Sequence, residues 1–177
     1  MDPTHPSYKT DWIWSTASNV HVASDRAWFT TFTAFPTTIG DHVSSNILEV
    51  EGIGTVSLTL RTDARDPTKT STVVLRDVLL APKCVCNIFA NQAAPELNGT
   101  WGRGGVSLKD KETGEVVGVM QHGSLYALWL KGKAEGESSL QAGQRYAIEA
   151  VWDDGEREKW EAREKDVGVG AEEGGKH

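Results

Sequence analysis

Between residues 11 and 130 the apolar positions fall into short runs with a period of two, the spacing of half-buried strands. WIWS (12–15) alternates weakly. ILEVEGIGTVSLTL (47–60) alternates well and carries Gly52 and Gly54 at an expected kink, and STVVLRDVLLAP (71–82) holds a β-branched run closed by Pro82. GVSLKDKETGEVVGVM (105–120) predicts two strands around a Thr-Gly turn, and GSLYALWL (123–130) a last strand. NIFANQAAPEL (87–97) is the internal helix candidate, one or two turns long. Short strands punctuated by Gly and Pro predict an all-β closed barrel or sandwich.

The pattern changes at residue 131. The last 47 residues hold 8 basic and 12 acidic side chains, and the chain ends VGVGAEEGGKH. These features predict an N-terminal tail (1–10), a β-barrel (11–130), a charged, partly helical extension (131–166) and a disordered tail (167–177). Within RYAIEAVWDDGEREKWEAREK, Ile148, Val151 and Trp152 make a candidate helical stripe, and Gly155 is expected to interrupt any long helix. The extension is read as docking one apolar face on the barrel.

Charge narrows the function classes. Lys and Arg number 18 against 25 Asp and Glu, a net charge of −7, and the basic residues are scattered, so nucleic acid is not an expected partner. No apolar run is long enough for a membrane span, and MDPTHPSYKT lacks the regions of a signal peptide, so a cytoplasmic location is expected. Cys84 and Cys86 stand one residue apart without a second ligand pair and are read as structural thiols. Asn98-Gly99-Thr100 is read as a turn, and His42 and His122, with Asp41, as surface residues without metal spacing. No metal and no cofactor are expected. Seven tryptophans, spread from Trp12 to Trp160, must line or pack something broad and apolar.

WIWSTASNVH (12–21) followed by VASDRAWFTTFTAF (22–35) resembles the opening of the retropepsin-like protease domain of copia-type retrotransposon polyproteins. Trp12, Ile13, His21, Asp25, Arg26 and Phe29 fall on matching positions of that pattern. LEVEGIGTVSL, VVLRDVLLAPKCVCNIFANQ and VSLKDKETGEVVGVMQHGSLYAL resemble its later strands, so the likeness covers about 11–130. It implies a small, closed, six-stranded barrel with one short helix. The chain has neither the zinc knuckle nor the integrase that flank such domains, and resembles a stand-alone derivative.

The resemblance places the family's catalytic Asp-Ser/Thr-Gly on Ser15, Thr16 and Ala17. Aspartic-protease chemistry needs two carboxylates sharing a proton across a dimer, and a serine hydroxyl supplies neither role. Ala17 also removes the backbone freedom of the glycine. Asp11 and Asp25 flank the loop as carboxylates that a shifted register would have to use. With the dyad gone, a monomer is favoured over a homodimer. Stand-alone proteins similar to this barrel occur mainly in filamentous fungi, which frames the expectation of a hydrophobic small molecule as partner. The leading expectation is a cyclase or accessory protein of secondary-metabolite, polyketide-type biosynthesis that acts by positioning and hydrogen bonding. Ser15, Thr16 and His21 are its candidate catalytic residues, and Trp12, Trp14, Ser18, Trp28, Phe29 and Phe32 its candidate ligand-binding residues. The alternatives are a catalytically dead protease serving as a protein-interaction module, and an unconventional serine hydrolase using Ser15 with His21 as base.

Overall fold

The segment with the best alternation becomes the longest strand. In the computed structural model, which describes residues 1–41, 46–102, 105–123 and 125–172, Leu48–Arg61 forms a 14-residue strand between two long neighbours. In chain order the strands are β1 (Trp12–Ser15), β2 (Val22–Ala23), β3 (Phe29–Gly40), β4 (Leu48–Arg61), β5 (Thr70–Leu80) and β6 (Asn87–Ala90). After these come β7 (Leu97–Gly102), β8 (Gly105–Asp110), β9 (Val116–His122), β10 (Tyr126–Leu128) and β11 (Val151–Trp152), followed by the helix α1 (Asp154–Glu172). Gly52 and Gly54 let β3 and β4 approach. A Cβ at Gly52 would lie 2.4 Å from the Phe32 ring, and one at Gly54 2.0 Å from the Thr31 carbonyl oxygen.

The strands pair in the order β11-β3-β4-β5-β2-β6-β1-β10-β9-β8-β7. β1 lies parallel to β6 and antiparallel to β10. The eleven-stranded sheet has β11 and β7 as its ends, where a closed ring of six was expected. It curls in a barrel-like way because Leu60 makes an isolated bridge to Leu130, with the Arg61 amide donating to the Trp129 carbonyl (2.8 Å) and the Lys131 amide to Thr59 (2.9 Å). The result is a mostly β, barrel-like fold with one helix.

Alternation along the strands divides the apolar residues between two cores. One holds Trp12, Trp28, Leu58, Leu60, Leu75 and Phe89. The other, beneath the C-terminal segment, holds Ile13, Ile53, Leu79, Ile88, Trp152 and Trp160.

Several expectations need correction. NIFA (87–90) is a fully buried strand and not a helix start, because its four residues pack on both faces beside β1; helical backbone is confined to the single 3-10 turn Asn91–Ala93. Asn98-Gly99-Thr100 lies inside β7. Val151 and Trp152 are extended, pairing with Gly40 and Ile39, so they form no helical stripe with Ile148. The helix starts only afterwards, with the Asp153 carboxylate capping the Gly155 amide at 2.9 Å, so that Gly155 sits in the first turn and interrupts nothing. It continues through Glu172, into the stretch expected to be disordered, whereas residues 173–177 lie outside the described residues. No helix among the described residues is long and apolar enough to cross a membrane.

Candidate functional site

The period of two along β1 decides which candidate residues meet. Trp12 and Trp14 face the first core, and Ile13 and Ser15 lie on the opposite face. Trp14 and Ser15, candidate ligand-binding and catalytic residues of one site, therefore lie on opposite faces of β1.

On the Ser15 side, the loop 15–19 is stitched to the chain's own C-terminal arm. The Ser15 hydroxyl donates to the Ile148 carbonyl (3.2 Å) and accepts from the Ser18 amide (3.2 Å), with the Ser18 hydroxyl 2.8 Å away. Ser18 Oγ in turn accepts the Ala150 amide at 2.9 Å. One proton arrangement satisfies all four contacts: Ser18 donates its hydroxyl proton to Ser15, Ser15 donates to Ile148, and both acceptor positions of Ser15 Oγ are filled. Asn19 continues the seam as a strand residue would. Its backbone amide donates to Ala150 O (3.1 Å), its side-chain amide donates to Trp152 O (3.0 Å), and its side-chain carbonyl oxygen accepts the Trp152 amide (2.8 Å). Thr16 stands outside this network, exposed, with its carbonyl accepting from Gln92 at 2.8 Å.

His21 does not serve Ser15. It is buried against Phe89, and its Nδ1 accepts the Ala90 amide at 3.0 Å while the Ala93 backbone supports its protonated form. Burial outweighs that support and holds its pKa down from 6.5 to about 4, so the imidazole is neutral. This sets a pH dependence. The unfolded chain takes up a proton below pH 6.5 and the folded chain only near 4, so stability is full above the upper value and falls as pH drops through the window. The expected loss is about 3 kcal/mol. Urea titrations from neutral to acid pH check it: His21→Asn, which keeps an acceptor for Ala90 but cannot titrate, should flatten that slope, and an unchanged slope would refute the assignment.

The flanking carboxylates are committed elsewhere. Asp25 caps the 3-10 turn Arg26–Trp28 through the Ala27 amide (2.7 Å) and accepts from the Ser7 hydroxyl. The Ser7 and then the Ala27 bonds hold its carboxyl below the ordinary range. Asp11 is buried in an ion pair with Lys133 and accepts from Ser138 Oγ (2.5 Å) and the Ser139 amide (3.0 Å).

Among the aromatic candidates, Trp12, Trp28 and Phe29 are core. Trp28 stacks on Tyr8 at 5.6 Å and meets Trp12 edge-on at 5.4 Å. Phe32 is half-buried beneath the Arg26 guanidinium, 4.4 Å from its ring centre. Trp14 alone joins a surface group: it meets Trp101 (5.4 Å) and Tyr126 (6.3 Å) edge-on and donates to Asn91 Oδ1 at 3.3 Å, while Tyr126 also meets exposed His122. Its ring occupies the space a side chain at Gly99 would take, since a Cβ there would lie 2.4 Å away. Trp101, 66% exposed, and Tyr126 were not among the sequence candidates; a tryptophan inside the small, polar stretch LNGTWG is the signal that would have marked the first.

Cys84 and Cys86 are free thiols in hydrogen-bond contact, which lowers the first and, with burial, raises the second. No cluster of three His, Cys, Asp or Glu side chains that would hold a metal occurs among the described residues, and His42 lies outside them.

No curated protein and no solved structure matches the chain. Residues 12–99 match the family model of the Pol polyprotein, beta-barrel domain, and the match supports a retrotransposon Pol-derived barrel over the segment that carries the 15–19 loop.

Proposed function

We propose that this chain is a non-proteolytic Pol-type barrel that works as a monomeric binding module. The observation that carries this reading is the Ser15 hydroxyl, buried and fully hydrogen-bonded beneath residues 148–150 at the position where the resemblance puts the protease aspartate. An attacking hydroxyl needs a free lone pair and a base within reach, and Ser15 has neither. The loop that would carry half of a dyad is bonded instead to the chain's own residues 148–152, which favours the monomer.

The test uses the full-length protein with a fluorophosphonate probe and a peptide library. No labelling, no cleavage and a solution mass near 19.3 kDa are expected. Labelling that disappears in Ser15→Ala would overturn the proposal. Ser15→Ala itself should cost about 1–2 kcal/mol, because it strands the Ser18 hydroxyl and the Ile148 carbonyl.

A second reading, a hydrophobic small molecule as partner, rests on the exposed ring of Trp101 beside Trp14 and Tyr126. Apolar ligands should then quench tryptophan fluorescence saturably in the native protein and not in Trp101→Ala. Any cyclase activity would have to draw its polar handles from Asn91 and His122 rather than from Ser15 and His21.

A further inference from the structure

A different part of the molecule carries an unassigned site. Between Gly54 and Val56 β4 advances two residues while β5 advances three, from Val78 to Leu75, so Thr55 lies opposite the extra pair Arg76 and Asp77. Asp77 takes the left-handed conformation (φ 50°) that this bulge demands, the one non-glycine residue to do so among the described residues. The bulge shifts the alternation by one, so Leu75 and Val78 both reach the same core, and Arg76 and Asp77 are left together on the exposed outer side. Strain of this kind in a side chain other than glycine persists where the surroundings hold it, and it gathers at functional sites.

Arg76 and Asp77 form part of the wall of a 450 Å³ cavity between β5, the residues before β2, the turn after β6 and the start of α1. Its lining is more polar than apolar: Val74, half exposed, supplies the apolar surface, Val20, Leu75 and Ala94 are buried behind it, and His21 contributes a ring whose Nδ1 is already engaged. Its rim carries two guanidiniums, Arg76 and Arg157, and two carboxylates, Asp77 and Glu96. The salt bridges of the described residues, Lys69–Asp63, Lys83–Glu49, Lys133–Asp11 and Lys159–Glu156, include none of these four. Two of them are nevertheless fixed in place. Asp77 accepts the Trp160 indole N–H at 3.2 Å, and Arg157 donates to the Asn19 carbonyl at 3.2 Å while lying over the Trp152 ring. Each keeps further hydrogen-bonding capacity for a ligand.

We infer that this cavity binds a zwitterionic small molecule, a free α-amino acid with a short apolar side chain. A simple anion would meet Arg76 and Arg157 but also face Asp77 and Glu96, and a simple cation would meet the reverse. A molecule carrying a carboxylate and an ammonium on one carbon pairs with both signs at once and lays a short side chain against Val74. The Ser15 hydroxyl is not part of this lining, so the inference stands or falls independently of the proposal that Ser15 is silent.

The experiment is an amide-resolved NMR titration of the full-length protein with each standard L-α-amino acid. Saturable shifts should be confined to residues 20–21, 74–77, 93–96 and 157 for the small apolar members. Valinamide, which lacks the carboxylate, and isovalerate, which lacks the ammonium, should each bind at least about tenfold more weakly than valine. Arg76→Gln and Asp77→Asn should each weaken valine by a similar factor. Both positions are exposed, and Asn accepts the left-handed conformation and the Trp160 bond, so neither change should disturb the fold. Shifts from no amino acid at about 20 mM, equal binding of valine and its two analogues, or undiminished binding by Asp77→Asn would each overturn the inference.

Discussion

Lys133→Met should lower the unfolding free energy by about 3–5 kcal/mol. Lys133 and Asp11 are almost completely buried, and the ammonium also donates to the Lys9 carbonyl at 2.9 Å. Methionine keeps most of the stem's volume and removes the charge, so the loss isolates the Asp11 carboxylate inside the protein with hydrogen bonds from Ser138 and Ser139 but no counter-ion. In a chain of this size the midpoint of thermal unfolding should fall by about 10 °C. Adding Asp11→Asn should recover a large part of the loss, because the buried charge is gone and an acceptor for the Ser139 amide remains. Lys133 is also where the arm leaves the barrel, so hydrogen exchange at the Ala150 and Trp152 amides should quicken in the single mutant. A thermal shift under about 2 °C would mean that the pair does not hold the arm.

How far this arrangement was legible in the sequence depends on where the signal lies. The period of two in residues 47–60 and 71–82 was enough for β4 and β5, because over most of their length one face is buried and the other meets water: Val56, Leu58 and Leu60 alternate with Ser57 and Thr59, and Val73 and Leu75 with exposed Thr72 and Val74. The same period, applied to WIWS, would have shown that Trp14 and Ser15 cannot share a groove; sequence proximity was a poorer guide than pleat. NIFA gave no period at all, being buried on both sides, and a short apolar run of that kind reads equally as strand or helix. The arm was the least legible part. Its charge marks a solvated extension, yet it is docked by buried Trp152 and Trp160 and by Lys133, two serines, the Ile148 carbonyl and backbone amides, and the polar part of that set does not stand out in a charged stretch. The bulge at Asp77 was hidden as well, since VVLRDVLL keeps its apolar character on either side of the slip.

Trp28→Ala should cost about 3–5 kcal/mol, whereas Trp101→Ala should stay within about 0.5 kcal/mol of the native protein. Both are tryptophans in a chain rich in them, and only their surroundings separate them. Trp28 is closed in by Tyr8, Trp12 and the first core, so truncation leaves a cavity that this wall of rings cannot collapse into. Trp101 loses one edge contact with Trp14 and otherwise gives up water-exposed surface. Trp28→Phe makes the argument sharper. The Trp28 indole N–H is buried without a hydrogen-bond partner among the described residues, so replacing it removes an unpaired donor along with some apolar area, and the net cost should drop to about 1–2 kcal/mol. Urea unfolding should therefore rank Trp28→Ala as the least stable of the three variants, Trp28→Phe next and Trp101→Ala as the most stable. If Trp28→Ala were as mild as Trp101→Ala, Trp28 would not be held in a packed core, and the ligand-binding role expected of it from sequence would stand in place of the structural one.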